Sequence, residues 1–258
     1  MDKNFSALII LLSIFHVSNL QGQNLVKNYS FEEFLECPSR FNQFNLCKDW
    51  FVTGNGSTPE YFHGCSTYNS NIGYSVSVPE NLAGNQKPRT GNAYAGIVLF
   101  ASNKKTYKHS DDFYYREYIQ GTLKEDLQKN KEYSFSFYIN LAENSVVFSD
   151  RISICFSDKQ LQSKAPYSTL VCQNKVTVKG VDFRNHETWI EVNGSYVADG
   201  GEKLITIGLF LDDLSKREFE KLNKENKLNE GDRHCYYYID DVSVVDISKK
   251  IEFSHQRN

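Results

Sequence analysis

Polar and apolar side chains alternate most clearly along residues 132–141. The large residues of one parity are Tyr133, Phe135, Phe137, Ile139 and Leu141. A period of two places these side chains on one face, which predicts a half-buried β-strand. Residues 151–157 repeat the pattern, whereas residues 91–100 and 202–210 are apolar on both faces, as central strands of a sheet are.

The remaining segments indicate an all-β fold. Short strand-like stretches, separated by Gly, Asn and Asp, occur without alternating helices, which favours a jelly-roll β-sandwich over a parallel sheet. One exception is residues 214–233, where Ser215 precedes Glu218 at the spacing of a capping box, so we expect one short helical insert there. The predicted domain covers residues 24–247, with a flexible tail at 248–258.

The N-terminus has the pattern of an export signal. Lys3 precedes an apolar run, residues 5–17, and polar residues then lead to a small residue, Gly22. The run is too short for a membrane span, which needs about 20 apolar residues. Residues 1–22 are therefore predicted to be a signal peptide, and the mature protein to be secreted, periplasmic or at the cell surface.

Composition narrows the classes of function. Aromatic residues make up 14% of the chain and there is one Met, a balance that favours pleated sheets. Lys and Arg (29) nearly cancel Asp and Glu (32), and no basic block is present, so nucleic acid is not an expected partner.

Six cysteines accompany the predicted signal peptide. An oxidising compartment allows disulfides, and the turn-rich early region makes Cys37 with Cys65 the preferred pair. Zinc is the alternative, but no CxxC and no paired histidine spacing occur in the sequence.

Two adjacent acids, Asp240 and Asp241, interrupt the apolar stretch YYYIDDVSVV near the end of the chain. Strict alternation gives Asp240 the parity of Val242 and Val244, so one acid turns inward and the other outward. An inward carboxylate needs an ionic partner or a metal. The alternative is that both lie beyond the sheet edge, capped by backbone N–H groups or a Lys.

The opening stretch NLVKNYSFEE (residues 24–33) and this closing stretch resemble the terminal strands of carbohydrate-binding modules of the galactose-binding-like jelly-roll class. The resemblance implies a structural Ca²⁺ held by Glu32 together with Asp240 or Asp241. Ca²⁺ prefers such oxygen ligands and completes its coordination with backbone carbonyls.

A second resemblance covers most of the mature chain. Five segments are similar, in order, to the N-terminal region of Bacteroidetes envelope proteins of the OmpA family: CPSRFNQFNLCKDWF, GSTPEYFHGC, VPENLAGNQKPRTGNAYAGIVLF, YREYIQGTLKEDLQKNKEYSFSFYINLA and GSYVADGGEKLITIGLF. In that family an OmpA-like, peptidoglycan-binding domain follows. The sequence has no such domain after Asn258, so the wall-anchoring function is not carried over.

Catalytic motifs are missing: there is no GxSxG, HExxH, P-loop or GxGxxG. We expect a non-catalytic module. A glycan-active enzyme stays an open alternative, and it requires two acids facing each other across a cleft, about 5 to 9.5 Å apart.

Aromatic residues beside hydrogen-bonding groups are typical of sugar recognition. The predicted ligand-binding residues are Trp50, Tyr114, Tyr115 and Arg116, because polar neighbours suggest loops at a sheet edge. The expected partner is a glycan or another cell-envelope component. The alternative is a protein-interaction or surface-assembly module without glycan binding, which would present a flat apolar patch instead of a groove.

Overall fold

A computed structural model describes residues 22–53, 56–67, 75–101, 115–145, 147–162, 169–210, 213 and 234–248. Regular structure in these ranges is almost entirely β. The strands are β1 (Trp50–Val52), β2 (Glu60–His63), β3 (Glu80–Asn81), β4 (Gly84–Asn85), β5 (Ala93–Ala101), β6 (Ile119–Thr122), β7 (Glu132–Leu141), β8 (Arg151–Ser157), β9 (Lys175–Lys179), β10 (Ile190–Val197), β11 (Leu204–Gly208) and β12 (His234–Asp246). A 3₁₀ turn, Phe44–Leu46, precedes β1.

The strands form two five-stranded antiparallel sheets, ordered β1-β6-β11-β8-β9 and β10-β7-β12-β5-β2, together with a β3-β4 hairpin. Strand β5 pairs with β12, β6 with β11, β7 with β10 and β8 with β9. Among strands β5 to β12, the first strand pairs with the last, the second with the second-last, and so on inward. One long hairpin that is rolled up produces this pattern of pairs. The predicted jelly-roll sandwich is therefore confirmed.

The main core lies between the sheets and follows the predicted alternation. All five large residues of β7 point into it, as do the apolar residues of β8. Strands β5 and β11 are buried on both faces along their whole length, as their continuous apolar sequences predicted. Burial of each such side chain contributes about 1.5–3 kcal/mol, so this layer supplies most of the driving force for folding.

A second apolar layer covers the outer face of the β10-β7-β12-β5-β2 sheet. Its buried members include Phe62, Tyr94, Val98, Tyr236 and Tyr238. The β3-β4 hairpin lies over them: the Tyr94 hydroxyl donates to the Gln86 carbonyl (2.8 Å), and the Tyr238 hydroxyl donates to Asn81 Oδ1 (2.9 Å). The covered face leaves room for a cavity at one end of the hairpin.

The opening residues run beside the last strand, as predicted. The Leu25 amide donates to the Val244 carbonyl of β12 (2.8 Å), and the Lys27 amide donates to the Thr122 carbonyl of β6 (3.0 Å). Since β12 and β6 belong to different sheets, this segment ties the two layers together. It makes only an isolated bridge, at Val26, and not the continuous strand expected.

Strand β12 contains a β-bulge at its two acids, which corrects the predicted parity. Tyr237 and Ile239 face the main core, and so do Val242 and Val244. The register shifts between Asp240 and Ser243 because Asp241 has a left-handed backbone, with φ of 49°. Asp240 therefore lies on the opposite face from Val242 and Val244.

Two disulfides are present. The predicted Cys37–Cys65 bond is confirmed, and Cys155 pairs with Cys172. Cys47 and Cys235 are buried free thiols, and burial raises the pKa of each.

Three predictions fall wholly or mostly outside the described residues: the signal peptide, the helical insert at 214–233 and the tail. Within the part of the chain that is described, no helix is long and apolar enough to cross a membrane.

Candidate functional site

Trp50, one of the predicted ligand-binding residues, does not present its ring to solvent. Its side chain is about 2% exposed and packs against Phe31, with ring centroids 4.7 Å apart. The indole N–H donates to the Asn28 carbonyl (3.0 Å), and the ring lies flat over Gly121. Trp50 therefore belongs to the core, because β1 places it between the two sheets.

The stretch that leads into β6 is divided between two faces. Arg116 is buried, and its guanidinium donates to the carbonyls of Leu209 (3.0 Å) and Phe210. These contacts turn it away from Tyr115, so the two do not form the shared ligand site that was expected. Tyr114 lies outside the described residues.

Tyr115 instead lines a cavity of about 320 Å³ on the outer face of the second sheet, between β2, β5, β12 and the β3-β4 hairpin. This volume is at the small end of the range of ligand sites. The lining residues are Thr58, Glu60, Leu82, Ala83, Val98, Tyr115, Glu117, Ala142, Asn144, Ser145, His234 and Tyr236.

Two buried glutamates form the floor of this cavity. Glu117 accepts hydrogen bonds from the Tyr115 hydroxyl (2.5 Å), the Thr58 hydroxyl (2.8 Å) and the Val98 amide (2.7 Å). Glu60 accepts one from the Tyr236 hydroxyl (2.6 Å). Each carboxyl group is thus fixed by a tyrosine whose ring also lines the cavity.

The electrostatics of the floor are unusual for a protein interior. Burial raises the pKa of Glu60, and the charge of Glu117 raises it further. Burial likewise raises the pKa of Glu117. No Lys or Arg among the described residues pairs with either carboxylate, so only hydrogen bonds offset the cost of ionising them.

The rim of the cavity is more polar and more open than the floor. Asn144 is exposed, and Leu82, Thr58 and His234 are half-buried. The backbone N–H of Asn144 donates to the Ala83 carbonyl (3.0 Å), which fixes the rim against the hairpin. The cavity therefore combines two aromatic rings, two carboxyl groups and an accessible polar mouth.

A larger cavity, about 470 Å³, lies beside the Cys155–Cys172 disulfide. Its buried acid, Glu202, already accepts hydrogen bonds from the Tyr196 hydroxyl and the amides of Asp199 and Gly200. Phe156 is the one aromatic residue in its lining. It therefore offers one aromatic ring, against two in the cavity at Glu60 and Glu117.

The three acids predicted to hold calcium all contact one stretch, residues 89–93. Glu32 accepts from the Asn92 amide (2.9 Å) and the Ala93 amide (3.1 Å). Asp240 accepts from the Arg89 amide (2.9 Å), and Asp241 pairs with the Arg89 guanidinium. This guanidinium stacks on the Tyr138 ring, 3.4 Å from its centroid.

These contacts bear on whether the residues fit Ca²⁺. The groups facing the three carboxylates are backbone N–H groups, the Arg89 guanidinium and the hydroxyls of Ser30 and Thr90, all of which donate hydrogen bonds to them. Within the described ranges, no three His, Cys, Asp or Glu side chains form a group that could hold a metal. Hydrogen-bond donors thus occupy the three carboxylates in this structure, and calcium binding stays a prediction.

No family model and no curated protein matches the chain. Similar solved structures include a Stig cyclase from Fischerella sp. TAU, at 12% identity and a TM-score of 0.43, covering 86% of this chain and 96% of that one. An arabinose-bound α-L-arabinofuranosidase has 11% identity and a TM-score of 0.41; the match covers 87% of this chain but 26% of that one.

A family 16 carbohydrate-binding module has 12% identity and a TM-score of 0.31, with coverage of 68% and 89%. At these scores the likenesses carry no argument, and the assignment of the fold rests on the strand pairing. The resemblance to OmpA-family envelope proteins stays a prediction.

Proposed function

We propose that this protein is an exported, non-catalytic module that binds carbohydrate in the cavity lined by Glu60, Glu117, Tyr115 and Tyr236. The observation that carries the proposal is the convergence of two aromatic rings with several hydrogen-bonding groups in one small cavity. Sugars need apolar contact for their ring faces and polar partners for their hydroxyls. The two disulfides support export, because such bonds persist in oxidising compartments.

Calorimetric titration with monosaccharides and soluble glycans tests this proposal. Asn144 is exposed at the mouth, where its side-chain amide also contacts the Leu82 carbonyl (3.4 Å), so Asn144→Ala should weaken binding about three- to tenfold, the contribution of one hydrogen bond. Gln128→Ala, which removes an exposed amide that does not line the cavity, should leave affinity unchanged. Absence of saturable binding to any sugar would refute the proposal.

The same titrations address catalysis. Glu60 and Glu117 line one cavity, and a glycan-active enzyme, the alternative left open by the sequence, also needs two acids in one cleft. We expect bound glycans to be recovered intact after long incubation. Release of reducing sugar that disappears in Glu117→Gln would instead make the protein a hydrolase.

A protein-interaction module is the second candidate, and one surface favours it. Tyr29, Phe34, Leu35 and Phe41 are exposed within a short stretch of the early region, with Leu35 at 72% exposure. Such clustered apolar side chains on a surface can mark a protein contact. Binding to an envelope protein, without binding to any sugar, would favour this second candidate. Leu35→Ser should then weaken the binding of the envelope protein.

A further inference from the structure

The cavity floor carries two carboxyl groups that have no positive partner among the described residues. Glu60 is about 8% exposed and Glu117 about 2%. In the described part of the chain neither forms a salt bridge, and the other titratable side chains that line the cavity are Tyr115, Tyr236 and His234. Buried carboxylates in proteins are normally paired with a cation or kept protonated.

The hydrogen-bond pattern leaves acceptor capacity on the floor. Among the described residues, the Tyr236 hydroxyl is the one side-chain donor to Glu60, and the backbone N–H of Glu60 adds a contact to its own carboxyl group. Glu117 receives three donors, so its position is rigid. The Tyr236 hydroxyl, having donated to Glu60, can still accept a hydrogen bond from a ligand, whereas the Tyr115 hydroxyl already accepts from the Thr58 amide (3.1 Å).

We infer that the preferred ligand of this cavity carries an ammonium group, in the form of an amino sugar with a free amine, placed between Glu60 and Glu117. This inference rests on the proposed carbohydrate-binding function. An ammonium group supplies up to three donors and the missing positive charge, and the electron-rich faces of Tyr115 and Tyr236 also attract cations. The cavity volume suits one sugar ring better than an extended chain.

Binding of a cation should also move protons. Burial raises the pKa of both glutamates, the charge of Glu117 raises that of Glu60 further, and an ammonium group between them lowers both again. The complex should therefore release protons at a pH where the carboxyl groups of the free protein are still protonated. Calorimetry in phosphate and in a tertiary-amine buffer measures this release, because the observed heat depends on the ionisation heat of the buffer. His234→Gln identifies any share that comes from the histidine.

The deciding experiment compares glucosamine, glucose and N-acetylglucosamine on the wild-type mature protein at mildly acidic pH. We expect glucosamine to bind at least about tenfold more tightly than the other two, as charge-assisted hydrogen bonds require. Glu60→Gln and Glu117→Gln should each remove this preference. Glu191→Gln, an exposed acid on β10, should keep it.

The outcomes separate the inference from the function on which it rests. Equal affinity for the three sugars overturns the inference and leaves carbohydrate binding intact. No binding of any of them overturns both. Because the comparison of ligands uses the wild-type protein, it decides the matter even if a glutamate variant does not fold, which circular dichroism would show.

Discussion

Replacement of Asp240 by Asn should change how the stability of the protein depends on pH. The Asp240 side chain is fully buried, and its two oxygens accept from the amides of Arg89 (2.9 Å), Thr90 (3.4 Å) and Asp241 (2.7 Å) and from the Ser30 hydroxyl (3.3 Å). Burial, and then the charge of Asp241, raise its pKa from the usual 3.8 to about 8.

The sign and size follow from proton linkage. An acid whose pKa is raised by folding binds its proton more tightly in the folded state, so its contribution is full below pH 3.8 and is lost as pH rises towards 8. The slope is about 1.4 kcal/mol per pH unit for one proton, or about 3 kcal/mol between pH 5 and pH 7. Asn cannot ionise, so the Asp240→Asn variant lacks this slope.

The Asp240→Asn variant should be less stable than the wild type at low pH, and its relative stability should increase as pH rises. An Asn amide places N–H groups against backbone donors, which costs about 1 kcal/mol where the wild-type acid is protonated. As pH rises, the wild-type protein loses stability through Asp240 and the variant does not. The difference between the two free energies of unfolding should therefore change by about 3 kcal/mol from pH 5 to pH 7.

Urea unfolding followed by tryptophan fluorescence measures this difference at several pH values. Contributions from Glu60 and Glu117 are common to both proteins and cancel. Asp246→Asn is a matched control, because its bond to Lys131 lowers its pKa despite partial burial, and it should leave the profile above pH 5 parallel to that of the wild type. Parallel profiles for Asp240→Asn would refute the raised pKa.

Three further changes have defined outcomes. Gly121→Ala places a Cβ 2.8 Å from the Trp50 ring, so the melting temperature should fall by the equivalent of about 1–3 kcal/mol; an unchanged value would contradict the packing. Joint Cys155→Ser and Cys172→Ser substitution should cost about 3 kcal/mol in urea unfolding, since the bond closes a 17-residue separation, whereas equal stability would mean that the bond does not form. If calcium binds as predicted, Ca²⁺ should raise the melting temperature after chelator treatment and Glu32→Gln should abolish the rise; no shift in the wild type would count against the ion.

The fold could be predicted from sequence because burial is periodic along each strand. The alternation in β7 and the continuous apolar sequences of β5 and β11 depend on local spacing alone, and each holds in the structure. The Cys37–Cys65 pair could be inferred for a similar reason, since both residues lie in one turn-rich segment.

The cavity could not be predicted in this way, because its residues meet only through strand pairing. Glu60 lies opposite Gly96 of β5, Tyr236 lies opposite Val98, and Glu117 binds the Val98 amide. Gly96 is also required for space: a Cβ there would lie 2.2 Å from the Tyr236 hydroxyl. In the sequence, Glu60 is an acid beside two aromatic residues in a short strand. This pattern does not show which residues Glu60 contacts.

Trp50 was predicted at a sheet edge but packs between the two sheets, and most other aromatic residues are buried as well. A sandwich with one solvated face per sheet would leave many rings outside, but the β3-β4 hairpin covers the second sheet and buries Phe62, Tyr94 and Tyr238 beneath it. Several aromatic residues thus form a second apolar layer, and Tyr115 belongs to this layer and lines the cavity.

The adjacent acids of β12 have a structural role that connects these observations. The left-handed residue Asp241 moves Asp240 out of the main core while Val242 stays in it, so both acids reach the stretch that follows the β3-β4 hairpin. That hairpin forms one wall of the cavity through Leu82 and Ala83. Because Asp240 and Asp241 anchor the chain just beyond this wall, loss of either acid should loosen the cavity as well as the fold.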